Sequence, residues 1–211
     1  MPLLREPQQE RSHATRARLV EAAASCLVDA GYAGASTAAM ARHAGVSQGA
    51  LFKHFPTKAD LLAACLERIL ADCVATFRDE LADTPRRPLP ERIRPAVVAL
   101  WRIFRASGMR AVFELYVVAR TDAALAAQLE PILTRHRDAI LAEGRRLFPE
   151  LPLRPDFDAA IDAVVYAMQG VALGLFAPFS PGDAAEAAHI AFFERLAHHE
   201  LAHALASTGR P

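Results

Sequence analysis

The residues with the most obvious capacity for chemistry lie near the carboxyl end, where His199-Glu200-Leu201-Ala202-His203 has the HExxH spacing. On a helix the two histidines fall on one face and can share a zinc ion, with the glutamate as general base to a metal-bound water. Read alone, the pattern predicts a zinc hydrolase. Such a site needs a third ligand, yet the eight residues after His203 contain no His, Asp or Glu. The alternatives are a metal-responsive regulatory site or, in so alanine-rich a helix, solvated edge residues. No phosphate-cradling glycine loop, paired carboxylates or Ser/His/Asp order stands out, so no catalytic residue, no metal and no cofactor is assigned.

A second group of residues suits a different chemistry. Between Arg11 and Lys58 six basic side chains face two acidic ones, a local charge of +4 in a 211-residue chain whose formal net charge is zero. Lys53 and Lys58 are the only lysines. Positive charge gathered in one stretch is what a phosphate backbone attracts.

The elements that must carry these charges can be read from local signals. Leu19, Ala23, Cys26, Leu27 and Ala30 recur at helical steps and predict a first helix over about 13–30, stopped by Gly31. Thr37 is the expected N-cap of a short second helix that ends at Gly45, a residue suited to the left-handed conformation. Ser47 caps a third helix opening at Gln48, with Val46 and Leu51 at staple spacing, and Pro56 closes it near Phe55. Two short helices joined by a tight glycine turn form the geometry that places a recognition helix in the major groove.

The run STAAMARHAGVSQGALFKHFPTKADLL, from Ser36 to Leu62, resembles the DNA-binding signature of the TetR family of bacterial transcriptional regulators. The preceding helix, TRARLVEAAASCLVDAGYAGAST, is similar to the same family, so the resemblance spans residues 13–62. It implies an all-α fold, with a helix-turn-helix domain over 1–60 and a helical ligand-binding and dimerisation domain over 61–211. It further implies a one-component repressor that binds a palindromic double-stranded DNA operator as a homodimer and is released by a small-molecule effector. Carried over by position, Thr37 contacts phosphate through its hydroxyl, Ser47 caps the recognition helix, and Gln48, Gly49 and Ala50 open it. Gln48 can pair with adenine, and Gly49 lets the groove floor come close. Phe52 stands where the family usually has tyrosine, so a phosphate hydrogen bond is replaced by apolar or stacking contact. Lys53, His54 and Lys58 are placed to hold the DNA backbone.

Beyond residue 62 the resemblance is one of length and helical layout. Thr57-Lys58-Ala59-Asp60 has capping-box spacing and opens a fourth helix to about Ala82, followed by TPRRPLP as a linker. Further helices are expected near 89–106, 108–120, 123–148, 156–177 and 183–206. Hydrophobic residues make up 53% of the chain and glycines number only 10, which favours packed helices over sheet. Residues 1–12 are expected to form a mobile arm. With no signal-like start and no uncharged apolar run of about 18 residues, a cytoplasmic protein without membrane attachment is expected. Cys26, Cys65 and Cys73 form no CxxC pair and are read as small buried hydrophobes.

Candidate effector contacts are Trp101, Phe104, Phe113, Tyr116, Tyr166 and Met168, bulky groups of the kind that line small-molecule cavities but also fill any helical bundle. Glu114 in AVFELYVVA and Gln169 after VVYAM are polar groups stranded in apolar runs, so each should face a partner, a water or a ligand. Arg110 or Arg120 is an alternative partner for Glu114. Gly170 and Gly174, one helical turn apart, mark a dimer interface or close packing within one subunit.

Overall fold

The computed structural model describes the backbone of residues 6–150, 155–176 and 183–208, with side chains over 9–150, 156–176 and 185–200. Among these residues there are helices and turns but no strand. In chain order the helices are α1 (Glu6–Gly34), α2 (Thr37–His43), α3 (Gln48–His54), α4 (Lys58–Glu80), α5 (Leu89–Arg105), α6 (Gly108–Ala119), α7 (Ala123–Leu147), α8 (Pro155–Gly174) and α9 (Asp183–Thr208). A 3-10 turn, Thr84–Arg86, occupies the expected linker. The PFSPGD stretch is outside the described residues except for Asp183, which opens α9.

α1 begins seven residues before its expected start, so helix covers residues 6–12, which were expected to form an arm. Pro7 falls in the first turn of α1, where its nitrogen owes no helical hydrogen bond, so it does not stop the helix. Farther along, the Thr15 hydroxyl donates to the Arg11 carbonyl (2.9 Å). At the other end Gly31 leaves helical geometry with φ 62° and ψ −177°, one short turn before Gly34.

Two compact units make up the chain. The first comprises the residues up to Ala71 together with Ser107–Thr134. In it α1 packs against both α2 and α6. Leu19, Ala23 and Leu27, the expected stripe, are buried with Met40, Leu51, Phe55, Leu61, Leu62 and Leu66. The capping box at the start of α4 is present in both directions: Thr57 Oγ1 accepts from Asp60 N (3.1 Å) and Asp60 Oδ2 accepts from Thr57 N (2.8 Å). Gln128 donates to the other carboxylate oxygen at 3.0 Å. Hydrogen bonding from Thr57, ahead of that from Gln128, holds the Asp60 carboxyl below the ordinary carboxylate range.

The second unit comprises Asp72–Ala106 and the chain from Arg135 on. Here α5 packs on α8 and α9. Trp101, 1% exposed, donates from Nε1 to Glu186 Oε1 at 2.7 Å. Its ring lies 6.3 Å from that of Phe193 and 6.0 Å from that of His189. Leu81, Ala99 and Leu147 form a small cluster with Phe77, Ala96 and Phe148 against it. Charged groups bind the edges of this cluster. Buried Arg92 donates to the carbonyls of Arg87 (2.7 Å) and Leu147 (3.1 Å) and to Glu150 (2.7 Å). Glu143, also buried, accepts from Arg78 (2.7 Å) and from Arg146.

Burial pushes the Cys65 thiol up to about 12 and the Cys73 thiol up to about 11, so neither is a reactive thiolate at neutral pH. The Cys26 thiol is raised as well, first by burial.

Burial opposes ionisation of Glu143, but hydrogen bonds from Arg146 and Arg78 outweigh it and hold the carboxyl below its usual value. A carboxylate depressed in this way adds stability above its unfolded pKa, and that stability is lost as pH falls through the folded value. Glu143→Gln should therefore lower stability at pH 7 by roughly 1.5–3 kcal/mol, the range for a hydrogen bond to a charged group. In urea titrations the difference from wild type should shrink below about pH 4. A difference that stayed constant down to acid pH would remove Glu143 as the group responsible.

Candidate nucleic-acid interface

α2 and α3 are positioned by their caps. Ser36, in extended geometry, caps α2 by accepting from Ala39 N (3.1 Å). Thr37, the cap expected from the sequence, is instead the first helical residue. α2 ends in a Schellman arrangement: Val46 N donates to Ala41 O (3.0 Å) and Gly45 N to Arg42 O (3.1 Å), with Gly45 at φ 66°. Nothing lies within 4 Å of a Cβ built on Gly45, so its requirement is backbone conformation, not space. Ser47 then accepts from Ala50 N at 3.1 Å and opens α3.

α3 has one inward face. Leu51 and Phe55 are fully buried, and the Arg16 guanidinium lies 4.7 Å over the Phe55 ring. Gln48, Gly49, Phe52 and Lys53 are exposed, while Ala50 and His54 are half-buried. Phe52, 44% exposed in the middle of this seven-residue helix, is a single aromatic on its outward face among polar neighbours. A Cβ on Gly49 would meet only Ser47 Oγ at 3.9 Å, so packing within the chain does not require glycine there. Gln48 Nε2 donates to Thr37 Oγ1 at 3.3 Å, which brings together two residues predicted for separate roles.

The two lysines differ. Lys53 is exposed, whereas Lys58 Nζ lies 3.9 Å from the centre of the Tyr32 ring and donates to the Tyr32 carbonyl at 3.4 Å. Burial lowers the Lys58 pKa from its ordinary value. On the other side of the same residue Tyr32 N donates to Glu114 Oε2 at 3.0 Å. A Cβ on Gly31 would stand 3.3 Å from that oxygen, so Gly31 is demanded both by φ and by the closeness of the carboxylate. Glu114 thus has a partner, in the Gly31–Tyr32 turn of the first unit, a pairing that no local pattern reveals. Tyr32 is a member of this network that sequence reasoning did not single out, as is Gln128 at the separate Asp60 capping box.

The other predicted residues fall as follows. Phe113, buried, meets half-buried Tyr116 edge-on at 6.4 Å in the first unit. In the second unit Trp101, Phe104 and Met168 are buried, Gln169 is half-buried and Tyr166 is 58% exposed. Nothing lies within 4 Å of a Cβ built on Gly170 or on Gly174, so packing among the described residues requires neither glycine. At the HExxH segment His199 Nδ1 is 3.6 Å from Glu200 Oε1 and both side chains are exposed, while the His203 side chain lies outside the described residues. Among the described residues no three potential metal ligands come together.

A glycine-closed pair of short helices, with an inward apolar face and an outward polar and aromatic strip on the second, defines a helix-turn-helix DNA-binding protein. Residues 19–65 match the family model described as bacterial regulatory proteins, tetR family. The chain is 38% identical over 150 residues to an HTH-type transcriptional regulator of Mycobacterium tuberculosis, covering 68% of this chain and 75% of that one. It is 33% identical over 138 residues to the HTH-type transcriptional activator FasR of Mycolicibacterium smegmatis, covering 64% and 59%. A solved member of the TetR family from Streptomyces coelicolor shares the fold, with a TM-score of 0.64 at 22% identity over 86% of this chain and 97% of that one. The chain belongs to the TetR family of bacterial transcriptional regulators. It is a regulator and not an enzyme.

The two glycines of the motif should separate cleanly on substitution. Gly45→Ala places an L side chain at positive φ and should cost roughly 1–2 kcal/mol, a melting drop of a few degrees. Gly49→Ala should leave melting unchanged or raise it, because alanine is the better helix former, yet it should weaken DNA binding. Equal DNA affinity for Gly49→Ala and wild type would place the groove contact elsewhere.

Proposed function

We propose that this regulator is a cytoplasmic homodimeric repressor whose two α3 helices read a palindromic operator and whose helical body senses a small apolar effector. The observation that carries the reading is the outward strip of α3, held in place by buried Leu51 and Phe55. In this reading Gln48, Gly49 and Ala50 meet base edges, Phe52 packs on sugar or thymine methyl, and Thr37, Lys53 and His54 hold phosphates. Ser47 supports them as the cap. Lys58 reaches phosphate only by giving up its hold on Tyr32, so we assign it first to placing the start of α4.

The dimer is assigned to α8 and α9. Tyr166 and Leu173 on α8 and Phe192 on α9 are large apolar side chains left about half exposed. Asp156–Gly174 is long and apolar enough to cross a membrane by length and composition, with 17% of it buried inside the chain. A second copy is the occupant that fits, because open space over Gly170 and Gly174 lets a partner helix approach closely. Two-fold symmetry then sets half-sites about 34–36 Å apart or a multiple of it.

For the sensor, Trp101, Phe104, Tyr166, Met168 and Gln169 remain the candidate contacts in the second unit, with half-buried Gln169 as the polar one. In the first unit Phe113 and Tyr116 sit on α6 around Glu114, which holds the turn after α1. Effector binding favours a conformer in which α6 no longer holds that turn in the DNA-competent position, and operator affinity falls by the effector's differential affinity for the two conformers.

Selection of duplexes from a random pool by the full chain tests the DNA assignment, and a palindrome should emerge. Gly174→Trp should sediment as a monomer and lose binding to that palindrome. A dimer unaffected by the tryptophan would exclude this face. Glu114→Ala should bind the same duplex more weakly than wild type even without effector, because the hold that effector releases is already lost, and further release by effector should be blunted. Normal release in that variant would show that the signal does not pass through Glu114.

A further inference from the structure

The hydrogen bond between Gln48 and Thr37 joins two residues that are otherwise independent contacts. We infer that Thr37 is a specificity-determining positioning residue: its hydroxyl fixes the amide of Gln48 in the orientation that reads a base. This rests on α3 being the DNA-reading helix.

The argument starts from freedom. Gln48 is exposed at the first position of α3, and a glutamine there has several rotatable side-chain bonds. Left alone it would sample many rotamers, and a base contact would have to order them. Thr37 is the opposite kind of side chain, β-branched and stiff at χ1. It begins α2, which is anchored by buried Met40 and Ala41 and by the Ser36 cap. A hydroxyl on that stiff stem, 3.3 Å from Gln48 Nε2, therefore acts as a fixed post for a mobile amide.

The donor count makes the arrangement useful. Gln48 Nε2 carries two N–H groups and Thr37 takes one, leaving the other N–H and Oε1 free, the donor and acceptor that an adenine edge requires. Thr37 Oγ1 uses a lone pair in this bond, so its own proton is still available for a phosphate oxygen. One bond then ties the group that reads sequence to the group that grips the backbone. Docking of the backbone contact sets the angle of the base contact, and Thr37 contributes to discrimination without touching a base.

The experiment uses full-length wild type, Thr37→Ser, Thr37→Val, Gln48→Ala and the Thr37→Val/Gln48→Ala double variant. Each is titrated against the duplex that wild type selects from a random pool and against single-base variants of it, with melting curves recorded to confirm folding. Gln48→Ala should lose preference at one position of each half-site. Thr37→Val should lose discrimination at that same position by about fivefold to tenfold. The double variant should be no less discriminating than Gln48→Ala, and Thr37→Ser, which keeps the hydroxyl, should discriminate like wild type. If Thr37→Val weakens every duplex equally with preference intact, or if its effect on discrimination adds fully to that of Gln48→Ala, Thr37 is a backbone contact only and the inference is overturned. If Gln48→Ala changes preference at no position, or no duplex is selected, the reading of α3 itself fails, an outcome distinct from the first.

Discussion

A helix that ends on a positive-φ glycine leaves backbone groups without helical partners, and in the first unit the groups of Tyr32 are supplied by side chains from two other helices. Glu114 of α6 accepts from its N–H and Lys58 of α4 donates to its carbonyl. The same ammonium also rests on the Tyr32 ring. Opposite charges thus hold the two faces of one turn. α1, α4 and α6 converge on this point, and α2 and α3 follow it directly in the chain. The turn therefore depends on side chains far from it in the sequence.

That dependence explains what was legible in the sequence and what was not. The α2–α3 motif is built from signals within a few residues of one another: a serine cap, a glycine that must be left-handed, a second serine cap and a proline stop. Each acts locally, so each could be read. The one slip, Thr37 for Ser36, arose because adjacent hydroxyl residues can both cap, and only the extended backbone of Ser36 decides between them. The Glu114–Tyr32 contact links residues 82 apart and Trp101–Glu186 links residues 85 apart. A stranded glutamate in an apolar run announces that it has a partner, but nothing in one sequence says which.

The second unit is held by a different balance. Its apolar cluster of Leu81, Ala99 and Leu147 is small, and arginine forks surround it. Arg92 is buried with two carbonyls and a carboxylate, and Glu143 is buried between two guanidiniums. Such groups contribute little net stability compared with apolar packing, yet they strongly penalise any arrangement that separates them. They hold the ends of α4, α5 and α7 in register more than they deepen the core. Arginine suits this task because its planar fork serves several acceptors at once, and only two of the chain's basic residues are lysines.

Among the described residues Val117 on α6 is exposed by itself, and two further exposed apolar features, on α3 and on α8 with α9, differ in what would cover them. Phe52 is isolated on α3 among Gln48, Gly49 and Lys53, so no broad apolar partner can dock there without stranding polar groups. A DNA groove, with apolar sugars and methyls beside charged phosphates, suits that mixture. On α8 and α9 the exposed groups are Tyr166, Leu173 and Phe192, and the bare backbone at Gly170 and Gly174 allows another helix to come close. Another helix of the same composition satisfies that surface, and a two-fold axis through it would give the isolated Phe52 strip a symmetric counterpart. Base reading from a helix of only seven residues offers few contacts, and in the proposed dimer symmetry would double the strip and lengthen the site read.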